Sequence, residues 1–190
     1  MPNHCEHDFY IEGKKEDVAE ILEAIKGTKE NQFLDFNRLI PYPENLALMD
    51  KIHQEAGGYF ADTAEYRKKL VSLLKEHNLD IDPDKFKDGF NSGGHGWCTS
   101  NWGTKWNAYN FEPIDDWQVE EHSEVSFKFE TAWSPPEPII HKIAELTKEK
   151  EVSIRITYFE RGMAFHGFYR LENGEVSDHE QAKYYGNRGG

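Results

Sequence analysis

The amino-acid sequence predicts an α+β protein: a ferredoxin-like antiparallel sheet with helices on one face, and a helical insertion. Three observations carry that expectation. Short stretches alternate apolar and polar residues with the period of a strand, as in Val152, Ile154 and Ile156. Two segments repeat apolar residues at helical spacing. Aromatic residues make up 14% of the chain, a composition that suits pleated, half-buried surfaces better than a helical bundle.

The elements follow in order. Residues 4 to 12 run as a strand into a Gly13-Lys14 turn. Lys15 to Lys26 places Val18, Ile21, Leu22 and Ile25 on one helical stripe, with Gly27 as its stop. Phe33 to Ile40 alternates and leads into Pro41-Tyr42-Pro43, which predicts a second strand with an extended exit. From Asn45 to about His77 the helical period returns, interrupted at Gly57-Gly58. Asn78 to Gly96 is rich in Asp and Gly and reads as loop. Residues 45–100 are therefore expected to form a helical insertion between the second and third core strands, with too few apolar faces for a core of its own. Thr104 to Phe111 and Val125 to Thr131 are the next two strands, joined by an acidic loop around Asp115-Asp116-Trp117. Pro136 opens a helix carrying Ile139, Ile140, Ile143, Ala144 and Leu146. Val152 to Glu160, an Arg161-Gly162 turn and Ala164 to Leu171 complete the sheet. A single domain over residues 1–175 and a frayed tail over 176–190 are the expected boundaries.

The chain has 190 residues, 35 acidic and 22 basic, for a formal charge of -13. Such a surface repels phosphate backbones, and the densest basic run, Arg67-Lys68-Lys69, sits beside Glu65. Nucleic acid and anionic membranes are thus disfavoured as partners. No apolar run reaches the ~18 residues that would cross a bilayer, and Met1-Pro2-Asn3-His4-Cys5 lacks the basic and apolar regions of a signal peptide, so the expected location is cytoplasmic.

Several blocks carry a resemblance. Met1-Pro2-Asn3 with Cys5, Asp35 to Pro43, Asn101 to Ala108 and Thr131 to Pro136 resemble the YubB ferredoxin-like domain family of phage-borne and plasmid-borne proteins, from the first residue to about Leu171. The resemblance implies the fold already reached from periodicity and a mobile-genetic-element setting. It implies no activity, cofactor or catalytic residue. Members usually have Trp after Met-Pro-Asn and Asn two residues beyond the Cys, where this chain has His4 and His7.

The candidate site is the pair of tryptophan blocks. Trp102, Lys105, Trp106, Asn107 and Trp133 are the expected ligand-binding residues, with indole faces to stack on a ring or a peptide and polar groups to orient it. The competing reading is packing of those rings between sheet and helices. Cys5, His7, His95 and Cys98, with His4 nearby, supply ligand types suited to zinc, but Cys-x-His and His-x-x-Cys match no recognised knuckle. No cofactor is expected. Glu160, Arg161 and His166, with Lys105 or Asp35, are acid and base types that spacing alone does not bring together. Asp80 to Asp84 departs from a calcium loop at Pro83 and lacks the closing glutamate, so it reads as a solvated turn.

The leading expectation is a noncatalytic binding protein of a mobile element that acts on a protein partner. The alternatives are a small-ligand receptor or enzyme with a cleft around Lys105 and Trp133, and an acidic DNA mimic, whose rows of carboxylates would lie between Asn45 and Gly96.

Overall fold

The computed structural model describes residues 3–60, 62–119 and 121–185. In chain order the elements are β1 (His4–Lys14), α1 (Lys15–Ile25), α2 (Phe36–Leu39), α3 (Glu44–Ala56), α4 (Thr63–Glu76), α5 (His95–Asn101), β2 (Tyr109–Val119), β3 (His122–Ala132), α6 (Glu137–Glu145), β4 (Val152–Glu160), β5 (Phe165–Glu172) and β6 (Glu175–Lys183). They divide into two compact units, Met1–Pro41 with Cys98–Gly190, and Tyr42–Trp97.

The larger unit holds one antiparallel sheet in the order β2-β3-β1-β4-β5-β6. Its first four strands, with α1 and α6 as crossovers, have the ferredoxin-like order, and β5 and β6 extend it as a meander. Alternation in β1 sends Cys5, His7, Phe9 and Ile11 inward. They meet Phe127 and Phe129 of β3 and Ile154 and Ile156 of β4 in register. Phe9 stacks on Phe127 at 4.6 Å between ring centroids, and His7 on Phe129 at 4.4 Å. Against this face α1 buries Val18, Ile21 and Ile25, while α6 buries Ile139, Ile140, Ile143 and Ala144. Ile11, Ile154, Ile139 and Ile140 are wholly excluded from solvent, and each such side chain stabilises by about 1.5–3 kcal/mol.

Phe33 to Ile40 is not a strand. Asp35 caps a single helical turn by accepting the amide of Asn37 at 3.0 Å, which drives Phe36 into the core and leaves the alternating pattern without a sheet partner. The helical segment therefore falls between α1 and β2, not after a second core strand. The expected acidic loop is also absent: Asp115, Asp116 and Trp117 pair with Ser126, Val125 and Glu124, so the reversal lies beyond Val119. Residues 175–183 are not frayed. Asn173 and Gly174 both adopt positive φ, 54° and 88°, which sets the tight turn that returns β6 onto β5. Residues 186–190 of the expected tail lie outside the described residues.

The Tyr42–Trp97 unit has a core of its own, contrary to expectation. Ile52, Ala56, Leu70 and Leu74 are buried together, with Leu48, Tyr66, Leu79, Ile81 and Phe86 packed around them. Asp62 caps α4 by accepting from Ala64 and Glu65. No helix among the described residues is long and apolar enough to cross a membrane.

Candidate functional site: two exposed indoles on one lysine

The two tryptophan blocks meet at the end of β3. The Thr104 hydroxyl donates to the carbonyl of Ala132 and the Ser134 hydroxyl to that of Gly103, each at 2.7 Å. Gly103 has φ 76°, and a Cβ there would stand 2.8 Å from Cδ of Pro138, so the tight approach of the blocks requires glycine.

This junction gives the five expected ligand residues different tasks. Trp102 is 4% exposed; its Nε1 donates to the carbonyl of Ile40 at 2.8 Å, and its ring stands edge-on to Phe36. Asn107 is a clasp. Its Oδ1 accepts the amides of Phe36 at 3.0 Å and Ala108 at 2.9 Å, and its Nδ2 donates to Asp35 at 2.7 Å. Lys105, Trp106 and Trp133 instead face outward as a group. The Lys105 Nζ lies 4.6 Å from the centroid of Trp106 and 5.2 Å from that of Trp133, within cation–π range of both. The two indoles are 38% and 39% exposed.

Trp133 has φ 73°, a left-handed conformation that a bulky residue adopts at a cost of about 1–2 kcal/mol. The strain presents the indole beside Lys105 while the Trp133 amide is satisfied by the carbonyl of Asn3 at 3.0 Å. Tyr109 flanks Trp106 edge-on and bonds to His4, which contacts Glu130 at 2.7 Å. Burial, then the charge of Glu130, pushes the Tyr109 hydroxyl up to about 12, so it remains a neutral donor at physiological pH.

The other sequence candidates disperse. Cys5 Sγ lies 3.7 Å from Nε2 of His7, but among the described residues no three His, Cys, Asp or Glu side chains gather as a metal would require, so the set of Cys5, His7, His95 and Cys98 is not assembled. Burial, then Glu160, holds the Cys5 thiol far above its usual range. Glu160 is 1% exposed and accepts the amides of Gly162 and Met163, closing the turn after β4. His166 is paired in register with Phe159, so it and Glu160 project from opposite faces of the sheet and do not form an acid–base pair.

Two features had no sequence signal. In the Tyr42–Trp97 unit a concavity of about 390 Å³ is lined by His53, Tyr59, Tyr66, Asp88 and Asn91. Asp88, 6% exposed, accepts from the Tyr59 hydroxyl and from the amide and side chain of Asn91. Burial opposes its charge, but those bonds and His53 prevail and hold the carboxyl below the usual range. His53 Nδ1 contacts the Tyr66 hydroxyl at 2.8 Å. On the larger unit, β4, β5 and β6 enclose a second concavity of about 370 Å³ between Arg155 and Tyr184.

Comparison with known proteins bears on the fold. No curated protein is matched by this sequence. The whole chain superposes on the crystal structure of protein api92 from Yersinia pseudotuberculosis, of the DUF1281 family, with a TM-score of 0.53, 10% identity, and coverage of 99% of this chain and 100% of that one. At that identity the likeness speaks to fold alone. Residues 101–185 are similar to the ferredoxin-like domain in Api92-like protein, which supports the ferredoxin-like part of the resemblance and leaves the YubB name unconfirmed.

Proposed function

We propose that this chain is a noncatalytic binding protein of a mobile genetic element, working in the cytoplasm, that engages a protein partner through Trp106, Trp133 and Lys105. One observation carries the reading: two indoles, each more than a third exposed, flank a single ammonium, and one of them is held there by a strained backbone. Backbone strain of this kind persists where the surrounding structure over-determines it, and the Thr104, Ser134 and Asn107 bonds supply that support. Tryptophan is among the residues most enriched at interface hot spots, and Lys105 adds a cation–π contact to both rings. Neither concavity described above is lined by these residues, which favours a surface contact over an enclosed substrate.

The test is affinity capture from host lysate with the wild-type chain and with Trp106→Ala and Trp133→Ala. A protein retained by wild type is then purified and titrated at defined concentration. Each substitution is expected to weaken that complex about thirtyfold, the worth of a ~2 kcal/mol hot spot. Equal affinity of wild type and both variants refutes the reading.

A further inference from the structure

The second concavity lies on the sheet face turned away from α1 and α6. On that face Arg155, Thr157 and Phe159 of β4 pair with Arg170, Phe168 and His166 of β5, and these in turn with Asp178, Glu180 and Ala182 of β6. The three strands thus set adjacent rows: Arg155 at one end, Phe168 and Glu180 in the middle, Phe159 and His166 at the other end. Just beyond β6 the chain bends back, with the Tyr184 amide donating to the carbonyl of Ala164 at 2.7 Å. The Tyr184 ring then stands edge-on over Phe159 at 4.6 Å and near His166 at 5.8 Å. Phe159 is consequently only 6% exposed. The result is a trough with aromatic walls, floored by strands.

Arg155 has an unusual situation for so acidic a chain. Its guanidinium lies over the Phe168 ring at 5.4 Å and makes no hydrogen bond or ion pair among the described residues. A stacked arginine with its donors unspent is a fork for a carboxylate or phosphate. The surroundings limit what can bring that anion. Across β1 and β3 the same face presents Glu6, Asp8, Glu12, Glu124 and Glu130 against Lys14 and Lys128, so a polyanion such as a nucleic-acid strand meets net repulsion on leaving the trough. The volume suits one or two rings. Glu180, in the middle row of the lining, is a carboxylate that can accept from a ring N–H or O–H and opposes a second negative charge.

We infer that this trough is a binding site for a small aryl anion, a flat aromatic molecule bearing one carboxylate or phosphate, whose ring lies against Phe159, Phe168 and Tyr184 and whose acid group is held by Arg155. It is separate from the indole patch, and its occupancy does not depend on the partner reading.

Calorimetric titration with phenyl phosphate and with benzoate, and with inorganic phosphate and phenol as the two halves alone, tests it. Saturable binding of at least one aryl anion is expected, tighter than either half. Arg155→Gln, an exposed position that leaves folding intact, is expected to weaken it at least tenfold, and Arg155→Lys to recover only part of that loss. Tyr184→Ala is expected to weaken it as well, while Trp106→Ala leaves it unchanged. The inference is overturned if neither aryl anion saturates by ~10 mM, if Arg155→Gln binds as wild type, or if a single-stranded octanucleotide binds more tightly than phenyl phosphate.

Discussion

Asn107 separates a scaffold role from a ligand role more sharply than any other residue in the tryptophan blocks. Replacing it by alanine removes three hydrogen bonds at once and leaves two main-chain donors, the amides of Phe36 and Ala108, without their acceptor. Phe36 is fully buried and Ala108 7% exposed, so water reaches these amides poorly. An orphaned donor costs about 1–3 kcal/mol, and the lower end applies at a partly buried site. Two such donors, with about 1.5 kcal/mol for the bond to the Asp35 carboxylate, give a loss of roughly 3–4 kcal/mol. With a urea slope near 2 kcal/mol per M, the midpoint moves down by about 1.5–2 M. The assay is urea unfolding followed by tryptophan fluorescence and by far-ultraviolet circular dichroism. Asn107→Asp, which keeps the acceptor but sets a carboxylate against Asp35, is expected to be destabilised at neutral pH and to recover on acidification. A shift in Asn107→Ala of less than about 0.5 kcal/mol would refute the clasp and return the side chain to the list of groups free to contact a ligand.

Three further outcomes follow. Cys5 and Cys98 are both buried and not joined in a disulfide, and burial keeps the Cys5 thiol protonated, so neither is expected to react with Ellman's reagent until the chain is unfolded; labelling of the native protein within minutes would contradict this. Tyr158, 3% exposed, has its hydroxyl pushed up to about 12, chiefly by burial. The unfolded chain therefore gives up this proton near pH 10 while the folded one retains it, and stability falls by up to about 1.4 kcal/mol per pH unit between pH 10 and 12, a slope that Tyr158→Phe reduces in urea unfolding at stepped pH. Gly103→Ala incurs both a left-handed φ and a contact with Pro138, and a loss of at least about 1 kcal/mol in thermal unfolding is expected; an unchanged midpoint would mean the blocks can separate.

The central architecture was legible because its signals are local and redundant. Cys5, His7, Phe9 and Ile11 alternate through one strand, Val18, Ile21 and Ile25 recur at helical spacing, and Pro136 marks where α6 begins. The exceptions lie where one cap outweighs a pattern. Asp35 turns an alternating stretch into helix, and no count of apolar residues registers a single side-chain bond. β6 is not legible from periodicity because nearly all of it is exposed, so it has no apolar alternation; the Asn173-Gly174 pair is its available signal. The meeting of the tryptophan blocks could be anticipated from composition. The division of labour within them could not, since Asn107 differs from Lys105 only in what lies 71 and 72 positions away. The trough between Arg155 and Tyr184 depends on the register of three strands, which no local window contains.

The two-strand meander beyond β4 also changes how the molecule meets its own kind. β4, with Val152, Ile154, Ile156, Tyr158 and Phe159, has the composition of a segment that recruits strands from other chains, and in a four-stranded version it would form the rim of the sheet. Covered by β5, it hands that border to β6, where Glu175, Asp178, Glu180 and Lys183 make intermolecular pairing costly. Deleting the last strand pair would thus be felt first as loss of solubility, as the chain begins to aggregate.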